Sequence, residues 1–226
     1  MASTPPGAAP PVYGLDIETD TTIDGLDPLV AGVIAVAVAG PTGVAIFDDS
    51  NEALLLNRLD WHLASIEPGV LATWNGANFD LPFLHLRAQR HGVALGLRLR
   101  PDPMLALPRE PLAGHAHTNR AWWHGHAHLD AYRLYRGDVV PALGVSGGLK
   151  SIAQLCGLSP VQVDASHVHE LSSADLRAYV SSDARCTREL VLRRWSTARY
   201  SVDRGGDPGA PALPDEVATR VAENVG

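Results

Sequence analysis

The feature that most constrains the fold is the segment Leu15–Thr19, in which two acids alternate with apolar residues. In an extended strand, successive side chains point to opposite faces, so Asp16 and Glu18 share one face. Leu15 and Ile17 then point the other way, into a core. The pattern therefore predicts a strand that carries two neighbouring carboxylates.

Two carboxylates on one face repel each other, so they are stable only in water or against a cation. A hard divalent ion such as Mg²⁺ or Mn²⁺ suits ligands that are all oxygen atoms. The D-x-E pattern is short and occurs by chance in many proteins. Taken alone, the pair Asp16 and Glu18 therefore indicates a chance match rather than a catalytic site.

A second acid-bearing segment runs from Val70 to His91. Here VLATW predicts a buried strand, NGAN a turn, and FDLPFLHLRAQRH a helix that ends at Gly92. Asp80 then lies at the start of this helix, near free backbone N–H groups that favour an anion. A simple helix-terminal acid is the alternative. Phe79 is predicted to pack in the core, with base stacking as its alternative role.

The third segment, SSADLRAYVSSDARCTRELVLRRW, predicts a long helix that begins with a Ser-x-x-Asp capping pattern. Tyr179 and Asp183 are four residues apart and share one helix face. A phenol and a carboxylate on that face can hold a water between them and a metal ion. The alternative is a half-buried tyrosine beside a surface acid.

Together the three segments resemble the DEDD superfamily of 3′-to-5′ exonucleases, in its tyrosine-containing (DEDDy) branch. This branch includes the proofreading domains of family B DNA polymerases and stand-alone bacterial relatives. D-I-E-T corresponds to the first motif, N-G-x-x-F-D-x-P-F to the second and Y-x-x-x-D to the third, over roughly Val12 to Trp195. The resemblance implies a ribonuclease H-like fold, in which helices cover both faces of a mixed sheet; the pattern alone indicates only α/β.

The same resemblance implies a two-metal site for Mg²⁺ or Mn²⁺, with Asp16, Glu18, Asp80 and Asp183 as ligands and Tyr179 orienting the attacking water. The expected reaction releases nucleoside 5′-monophosphates from the 3′ end of single-stranded DNA, with RNA as the alternative substrate. A separate polymerase or repair protein is the expected protein partner. The predicted substrate-binding residues are Thr19, Asn75, Asn78, Phe79 and Lys150.

Chain organisation is predicted as a flexible leader (1–11), an exonuclease domain (12–200) and a Gly/Pro-rich tail with a short helix (201–226). No apolar run approaches a membrane span, and the first residues lack the basic and apolar regions of a signal peptide. Cys156 and Cys186 are too few for a disulfide framework. We therefore expect a cytoplasmic protein without a membrane partner.

The formal net charge of −7 is unusual for a protein that binds nucleic acid. However, between Arg87 and Lys150 there are nine basic residues and four acids. This stretch is predicted to face the phosphate backbone, and a solvated face is the alternative.

The remaining strands and helices follow from apolar runs and turn residues. Val30–Ala39 and Gly43–Phe47 predict a hairpin that extends the first strand into a three-stranded meander, and Glu52–Ile66 predicts a helix. A short amphipathic helix is predicted over Leu149–Leu158.

The segment from Gly114 to Asp130 is rich in histidine and carries two tryptophans. His124, His126 and His128 alternate, so they are predicted either as neutral residues of an exposed strand edge or loop, or as ligands of a zinc ion. Trp122 and Trp123 are predicted as core residues, with base stacking as the alternative. Asp130 matches an aspartate of family B-like exonucleases and is expected near the metals.

Two functions of other classes stay open at this point. One is a catalytically silent nucleic-acid-binding module on the same fold, which usually lacks at least one ligand. The other is a metal-independent hydrolase that uses two carboxylates as acid and base. Insensitivity to EDTA is the observation that favours the second.

Overall fold

A seven-stranded mixed sheet forms the centre of the computed structural model, which describes residues 10–101 and 118–202. The strand order is β3-β2-β1-β4-β7-β6-β5. β1, β4 and β7 run parallel, while the outer strands on both sides are antiparallel to their neighbours. The strands are β1 (Val12–Thr19), β2 (Val33–Gly40), β3 (Gly43–Phe47), β4 (Val70–Thr73), β5 (Leu97–Pro101), β6 (Asn119–Trp123) and β7 (His126–Asp130).

Helices cover both faces of this sheet, which confirms the predicted α/β fold with a mixed sheet. The helices are α1 (Glu52–Ser65), α2 (Asp80–His91), α3 (Ala131–Arg136), α4 (Val139–Leu143), α5 (Leu149–Leu155), α6 (Ser173–Arg193) and α7 (Trp195–Ala198). Short 3₁₀ helices span Ala165–Glu170 and Arg199–Ser201. Within the described residues, no helix has the length and apolar character that crossing a membrane requires.

One face of the sheet packs against α1 and α2. Leu15 and Ile17 of β1 point into this core, as the alternation in the sequence predicts, and they pack with apolar side chains of both helices. Trp123 belongs to the same core, and Trp122 is also buried. The core prediction for the tryptophan pair is therefore confirmed, and base stacking by either ring is wrong because neither ring is open to solvent.

The opposite face packs against α6 at unusually short range. Three alanines of β2 (Ala35, Ala37 and Ala39) contact Val180 and Ala184 of α6 in a cluster of small side chains. On β1, a Cβ atom at Gly14 would lie 2.0 Å from the Ala184 carbonyl oxygen. Because no side chain separates the backbones there, α6 lies directly over the acid-bearing face of β1.

The loop between β1 and β2 is fixed by a buried ion cluster. Glu52 accepts hydrogen bonds from the Val33 N–H (2.8 Å), from Arg87 Nε (2.8 Å) and from His91 Nε2 (2.7 Å). Arg87 also donates to the Pro28 carbonyl oxygen. The prediction that the basic middle stretch faces a phosphate backbone is therefore wrong for Arg87, whose guanidinium is buried in this cluster.

The three alternating histidines have separate protein partners. His124 lies in the β6–β7 turn beside Asp60 (3.0 Å), His126 donates to the Leu63 carbonyl oxygen (2.8 Å), and His128 lies 2.8 Å from the Thr73 hydroxyl. His126 and His128 are buried, so their expected place on an exposed edge or loop is wrong. The only metal-competent group of acids and histidines within residues 10–101 and 118–202 lacks them, which leaves the zinc hypothesis without support.

The hairpin, α1, α2 and α6 agree with the sequence predictions to within a few residues, although β2 begins at Val33 rather than Val30. Cys156 and Cys186 are free, as predicted. The boundaries at 11 and 200 stay predictions, because residues 1–9 and 203–226 lie outside the described residues.

Candidate active site

Carboxylates from two distant parts of the chain converge between β1 and α6. Asp16 and Glu18 both lie on the α6 side of β1, and one oxygen atom each of Asp16, Glu18 and Asp183 lies within 4.8 Å of the others. Asp183 reaches this point because α6 lies so close to the sheet. Its Oδ1 atom is buried without a hydrogen-bond partner.

The start of α6 sets the direction in which Tyr179 and Asp183 point. The Ser172 hydroxyl accepts a hydrogen bond from the Asp175 N–H (3.2 Å), which confirms the predicted cap. One turn separates Tyr179 from Asp183, and both side chains are buried against the site. The alternative of a half-buried tyrosine with a surface acid is therefore wrong.

The fourth acid, Asp80, occupies the first position of α2. Its side chain is buried and lies close enough to Asp16 for the two charges to interact. The turn before it depends on Asn75, which adopts a left-handed conformation (φ 67°) that asparagine tolerates. Asn78 N–H and Nδ2 donate to the Asn75 carbonyl and side-chain oxygens (3.0 and 2.8 Å).

Asp130 lies at the end of β7 and connects this turn to the sheet. Its Oδ1 atom accepts hydrogen bonds from the N–H groups of Asn75 (2.8 Å) and Tyr132 (3.2 Å). Its charge contributes to the raised pKa of Asp80, so the two carboxyl groups are neighbours. Asp130 therefore lies beside Asp80, and its expected place near the metals stays a prediction.

All four acids have pKa values above their ordinary range. Burial is the largest cause, and repulsion from the neighbouring acids adds to it at Asp16 and Glu18. The pKa of Asp16 is raised well above its ordinary value, that of Glu18 to about 8, that of Asp80 to about 7 and that of Asp183 to about 6. Among residues 10–101 and 118–202, the site thus holds more carboxylates than the neighbouring cations neutralise.

Lys150 at the start of α5 is the cation of this site. Its Nζ atom lies 3.3 Å from Asp183 Oδ2 and 3.7 Å from the Tyr179 ring centroid, and it donates to the Val161 carbonyl oxygen (3.0 Å). The sequence predicted a substrate contact for Lys150 and missed this contact with Asp183. Its status as the only lysine of the chain was the one available signal.

Tyr179 keeps its proton in this environment. Burial and the charges of Glu18, Asp183 and Asp16 raise the pKa of its phenol further above the ordinary value of 10. A neutral phenol donates a hydrogen bond and does not serve as a base at neutral pH. Tyr179 is therefore suited to orient a water or a phosphate oxygen.

The predicted substrate-binding residues surround the acids but differ in accessibility. The Thr19 hydroxyl is buried and donates to the Gly25 carbonyl oxygen (2.6 Å). Asn78 Oδ1 accepts from the Thr118 hydroxyl (2.6 Å), and Phe79 packs against Phe83 while remaining partly exposed. Substrate contacts by Thr19, Asn75, Asn78, Phe79 and Lys150 stay predictions.

The donor set fits divalent cations. It consists of carboxylate oxygens, and one of them, Asp183 Oδ1, is buried without a hydrogen-bond partner. Hard ions such as Mg²⁺ and Mn²⁺ prefer oxygen ligands. A bound cation also offsets the repulsion among the acids that raises their pKa values.

Several known proteins are similar to this chain in sequence. The DNA polymerase epsilon catalytic subunit of Saccharomyces cerevisiae is 28% identical over 159 residues, covering 68% of this chain and 6% of that protein. The corresponding Arabidopsis thaliana protein is 28% identical over 173 residues (74% and 7%), and a Thermococcus aggregans DNA polymerase is 29% identical over 147 residues (62% and 8%). The chain thus spans less than a tenth of these relatives.

Among solved structures, the family B DNA polymerase of Pyrobaculum calidifontis is similar in fold, with a TM-score of 0.63 and 24% identity over 83% of this chain and 25% of that one. Residues 35–152, just over half of the sequence, match the family described as the exonuclease domain of family B DNA polymerases. Exonuclease domains of this type use divalent metals. The chain therefore belongs to the family of family B DNA polymerase exonuclease domains, within the DEDD group of 3′-to-5′ exonucleases.

Proposed function

We propose that this protein is a 3′-to-5′ exonuclease that hydrolyses single-stranded DNA to nucleoside 5′-monophosphates with two divalent ions, Mg²⁺ or Mn²⁺. The observation that carries the proposal is the convergence of Asp16, Glu18 and Asp183 within 4.8 Å, with Asp80 beside them. A catalytically silent module gains nothing from four clustered acids, two buried and two half-buried, that repel one another, which argues against that alternative.

Each residue of the site has a defined task in this reaction. Asp16, Glu18, Asp80 and Asp183 would hold the ions, which when bound would lower the pKa of a water and stabilise charge on the leaving group. The water oxygen joins the phosphorus, the bond from phosphorus to the 3′ oxygen breaks, and that oxygen leaves with a proton. Tyr179 orients the incoming water by a hydrogen bond from its neutral phenol.

DNA is the favoured substrate because the similar proteins are DNA polymerases. RNA stays the alternative, since discrimination depends on contacts to the 2′-hydroxyl. In these relatives the matching segment is a small part of a polymerase, so we propose a separate polymerase or repair protein as a partner of this chain.

The experiment is digestion of 5′-labelled single-stranded DNA and RNA of one sequence, with Mg²⁺, with Mn²⁺ and with EDTA, resolved to single nucleotides. We expect a metal-dependent ladder that shortens from the 3′ end, with DNA shortened faster. Glu67→Gln, an exposed acid before β4 at the opposite end of the sheet, is the matched control. Cleavage that persists in EDTA would favour the metal-independent hydrolase, and no cleavage would favour the silent module.

A further inference from the structure

Asp130 holds the turn between β4 and α2 (residues 74–79). β4 and β7 are parallel neighbours, and their register places Thr73 beside Asp130 at the carboxyl ends of the two strands. The chain that leaves β4 therefore passes beside the Asp130 side chain. This side chain accepts hydrogen bonds from the Asn75 N–H (2.8 Å) and from the Ala77 N–H. One buried carboxylate thus fixes two backbone amides of the turn.

Hydrogen bonds inside the turn continue from this end to both sides of Asp80. The Asn75 carbonyl oxygen accepts the Phe79 N–H (3.1 Å), and the Gly76 carbonyl oxygen accepts the Leu81 N–H (3.0 Å). Phe79 stands at the cap position of α2, and its ring has no oxygen to accept an N–H of the first helical turn. The start of α2, and Asp80 with it, is therefore placed by the turn.

Asp80 stands apart from the other proposed ligands. Oxygen atoms of Asp16, Glu18 and Asp183 lie within 4.8 Å of one another, whereas Asp80 is outside that group and close enough to Asp16 for their charges to interact. Any displacement of the turn changes the distance between Asp80 and Asp16. Because Mg²⁺ requires nearly ideal octahedral geometry, the position of each ligand matters to its binding.

The contacts of Asp130 suit positioning rather than metal binding. Besides the amides of the turn, its Oδ1 atom accepts the Tyr132 N–H (3.2 Å) and so caps α3. Its Oδ2 atom lies 3.8 Å from Arg133 Nε. A carboxylate that is engaged by several N–H donors and lies beside a guanidinium has little capacity left for a cation. Asp130 therefore differs in its task from the four acids.

We propose that Asp130 is a positioning residue of the candidate active site. By accepting the N–H groups of Asn75 and Ala77, it fixes the turn. The fixed turn holds Asp80 where a divalent cation can bind it together with Asp16. The cation rests on the proposed function, whereas the hold of Asp130 on the turn does not. Groups that orient metal ligands from behind typically contribute about 10–100-fold to metal affinity or activity.

Three neutral replacements separate position from charge. Asp130→Asn keeps an acceptor oxygen in the same place, so it can both hold the turn and cap α3. Asp130→Ser keeps the cap, since serine is a good N-cap residue, but its side chain is one bond too short for the turn. Asp130→Ala loses both contacts. Because all three remove the same charge, differences among them report on position rather than on attraction of the cation.

The measurements are Mn²⁺ affinity by calorimetry and the cleavage rate, at a temperature where thermal unfolding shows every variant to be folded. We expect Mn²⁺ affinity and kcat to be about 10–100-fold lower in Asp130→Ser and Asp130→Ala than in Asp130→Asn. A residue that only caps α3 predicts another grouping, with Asp130→Ser equal to Asp130→Asn and Asp130→Ala alone impaired. Mn²⁺ affinity in Asp130→Ser as high as in Asp130→Asn overturns the proposal.

Asp138→Ala is the matched control, because it removes an aspartate cap from the neighbouring helix α4 and leaves the turn untouched. Asp138 accepts the Val139 N–H (2.6 Å) and pairs with Arg194. We expect this variant to melt at a lower temperature and to bind Mn²⁺ as the wild type does. A loss of Mn²⁺ affinity as large as that of Asp130→Ser would show that any lost cap has this effect, and would overturn the proposal.

Hydrogen exchange separates this inference from the proposed function. In EDTA, we expect the amides of residues 74–80 to exchange faster in Asp130→Ser than in Asp130→Asn, as followed by mass spectrometry. If the wild type neither binds Mn²⁺ nor cleaves but this difference is seen, the proposed function fails and the hold of Asp130 on the turn stands. If the wild type does both and the two variants agree in affinity, rate and exchange, the proposed function stands and the positioning role fails.

Discussion

Two clusters of charged residues in this protein have opposite charge balance: one surrounds the single acid Glu52, and the other contains the four acids of the candidate site. Glu52 accepts hydrogen bonds from Arg87, His91 and the Val33 N–H, and although burial raises its pKa, these partners together lower the pKa below its ordinary value. At the four acids of the candidate site, Lys150 is the cation in contact, and the pKa values are raised.

The difference shows what each group is for. Around Glu52 the protein itself supplies the partners, so the group fixes the loop between β1 and β2 and needs no ligand. At Asp16 and its neighbours, the described part of the chain places four carboxyl groups close together and brings one cation, Lys150, into contact with them. Such a charge excess destabilises the free protein and favours the binding of a cation. Unbalanced charge of this kind is typical of functional sites rather than of structural ion pairs.

The largest expected effect is on catalysis. Asp16→Asn should reduce the rate of 3′-end cleavage by at least about 10³-fold, because one ligand of the proposed ions is lost. In EDTA the same change should raise the melting temperature, since it removes a carboxyl group whose ionisation is opposed by desolvation and by the neighbouring acids. Cleavage kinetics and thermal unfolding with EDTA check both parts; a melting temperature that falls would contradict the charge-excess interpretation.

The same acid-to-amide change should act in the opposite direction at Glu52. Glu52→Gln leaves the Arg87 guanidinium buried without its carboxylate, and we expect a loss of about 3–5 kcal/mol in the free energy of unfolding. Urea unfolding in EDTA measures it, with Asp16→Asn as the paired comparison. If both variants changed stability in the same direction, the distinction between the two groups would be wrong.

The pH dependence of stability should differ between the metal-free and metal-loaded protein. A carboxyl group whose folded-state pKa is raised stabilises the fold at low pH, and that contribution is lost as pH rises through the folded pKa. With pKa values of about 6, 7 and 8 at Asp183, Asp80 and Glu18, stability in EDTA should fall between about pH 5 and pH 8. Glu52, whose pKa is lowered, contributes in the opposite sense at more acidic pH.

Urea unfolding at several pH values, with EDTA and with Mn²⁺, checks this prediction. We expect the decline towards alkaline pH to be smaller with Mn²⁺, because a bound cation keeps the acids ionised. An identical pH profile under the two conditions would show that no cation binds these groups.

The smallest expected effect is at Tyr179. Tyr179→Phe removes one hydroxyl and no ligand atom, so the cleavage rate should fall about tenfold while Mn²⁺ affinity, measured by calorimetry, stays the same. An unchanged rate would reduce Tyr179 to a packing residue, and a parallel loss of Mn²⁺ affinity would show that it holds the acids in place.

The sequence predicted the parts of the fold that depend on local patterns. The alternation around Asp16, the turn before Asp80 and the cap of α6 each lie within one short segment, and each is confirmed in the structure. The fold class followed from the order of these segments and from the resemblance to a known group of nucleases. The four acids therefore appear together in the structure as the motifs suggested.

The parts that were missed depend on contacts between residues far apart in the chain. Lys150 meets Asp183 only because α5 and α6 pack side by side, and Arg87 meets Glu52 only because α1 and α2 do. Likewise, the place of His126 beside the Leu63 carbonyl depends on how β7 packs against α1. The spacing of residues within one segment does not predict contacts with residues of another segment.

The close approach of α6 to β1 at Gly14 also has a consequence for biosynthesis. Asp16 is synthesised early and Asp183 late, and they meet only after α6 has docked on the completed sheet. A nascent chain on the ribosome therefore carries the first acids without a complete set until α6 has been synthesised and has folded onto the sheet. If the proposed function is right, the nuclease becomes active only when nearly all of its domain has been made, which protects the messenger and other nucleic acids near the translating ribosome.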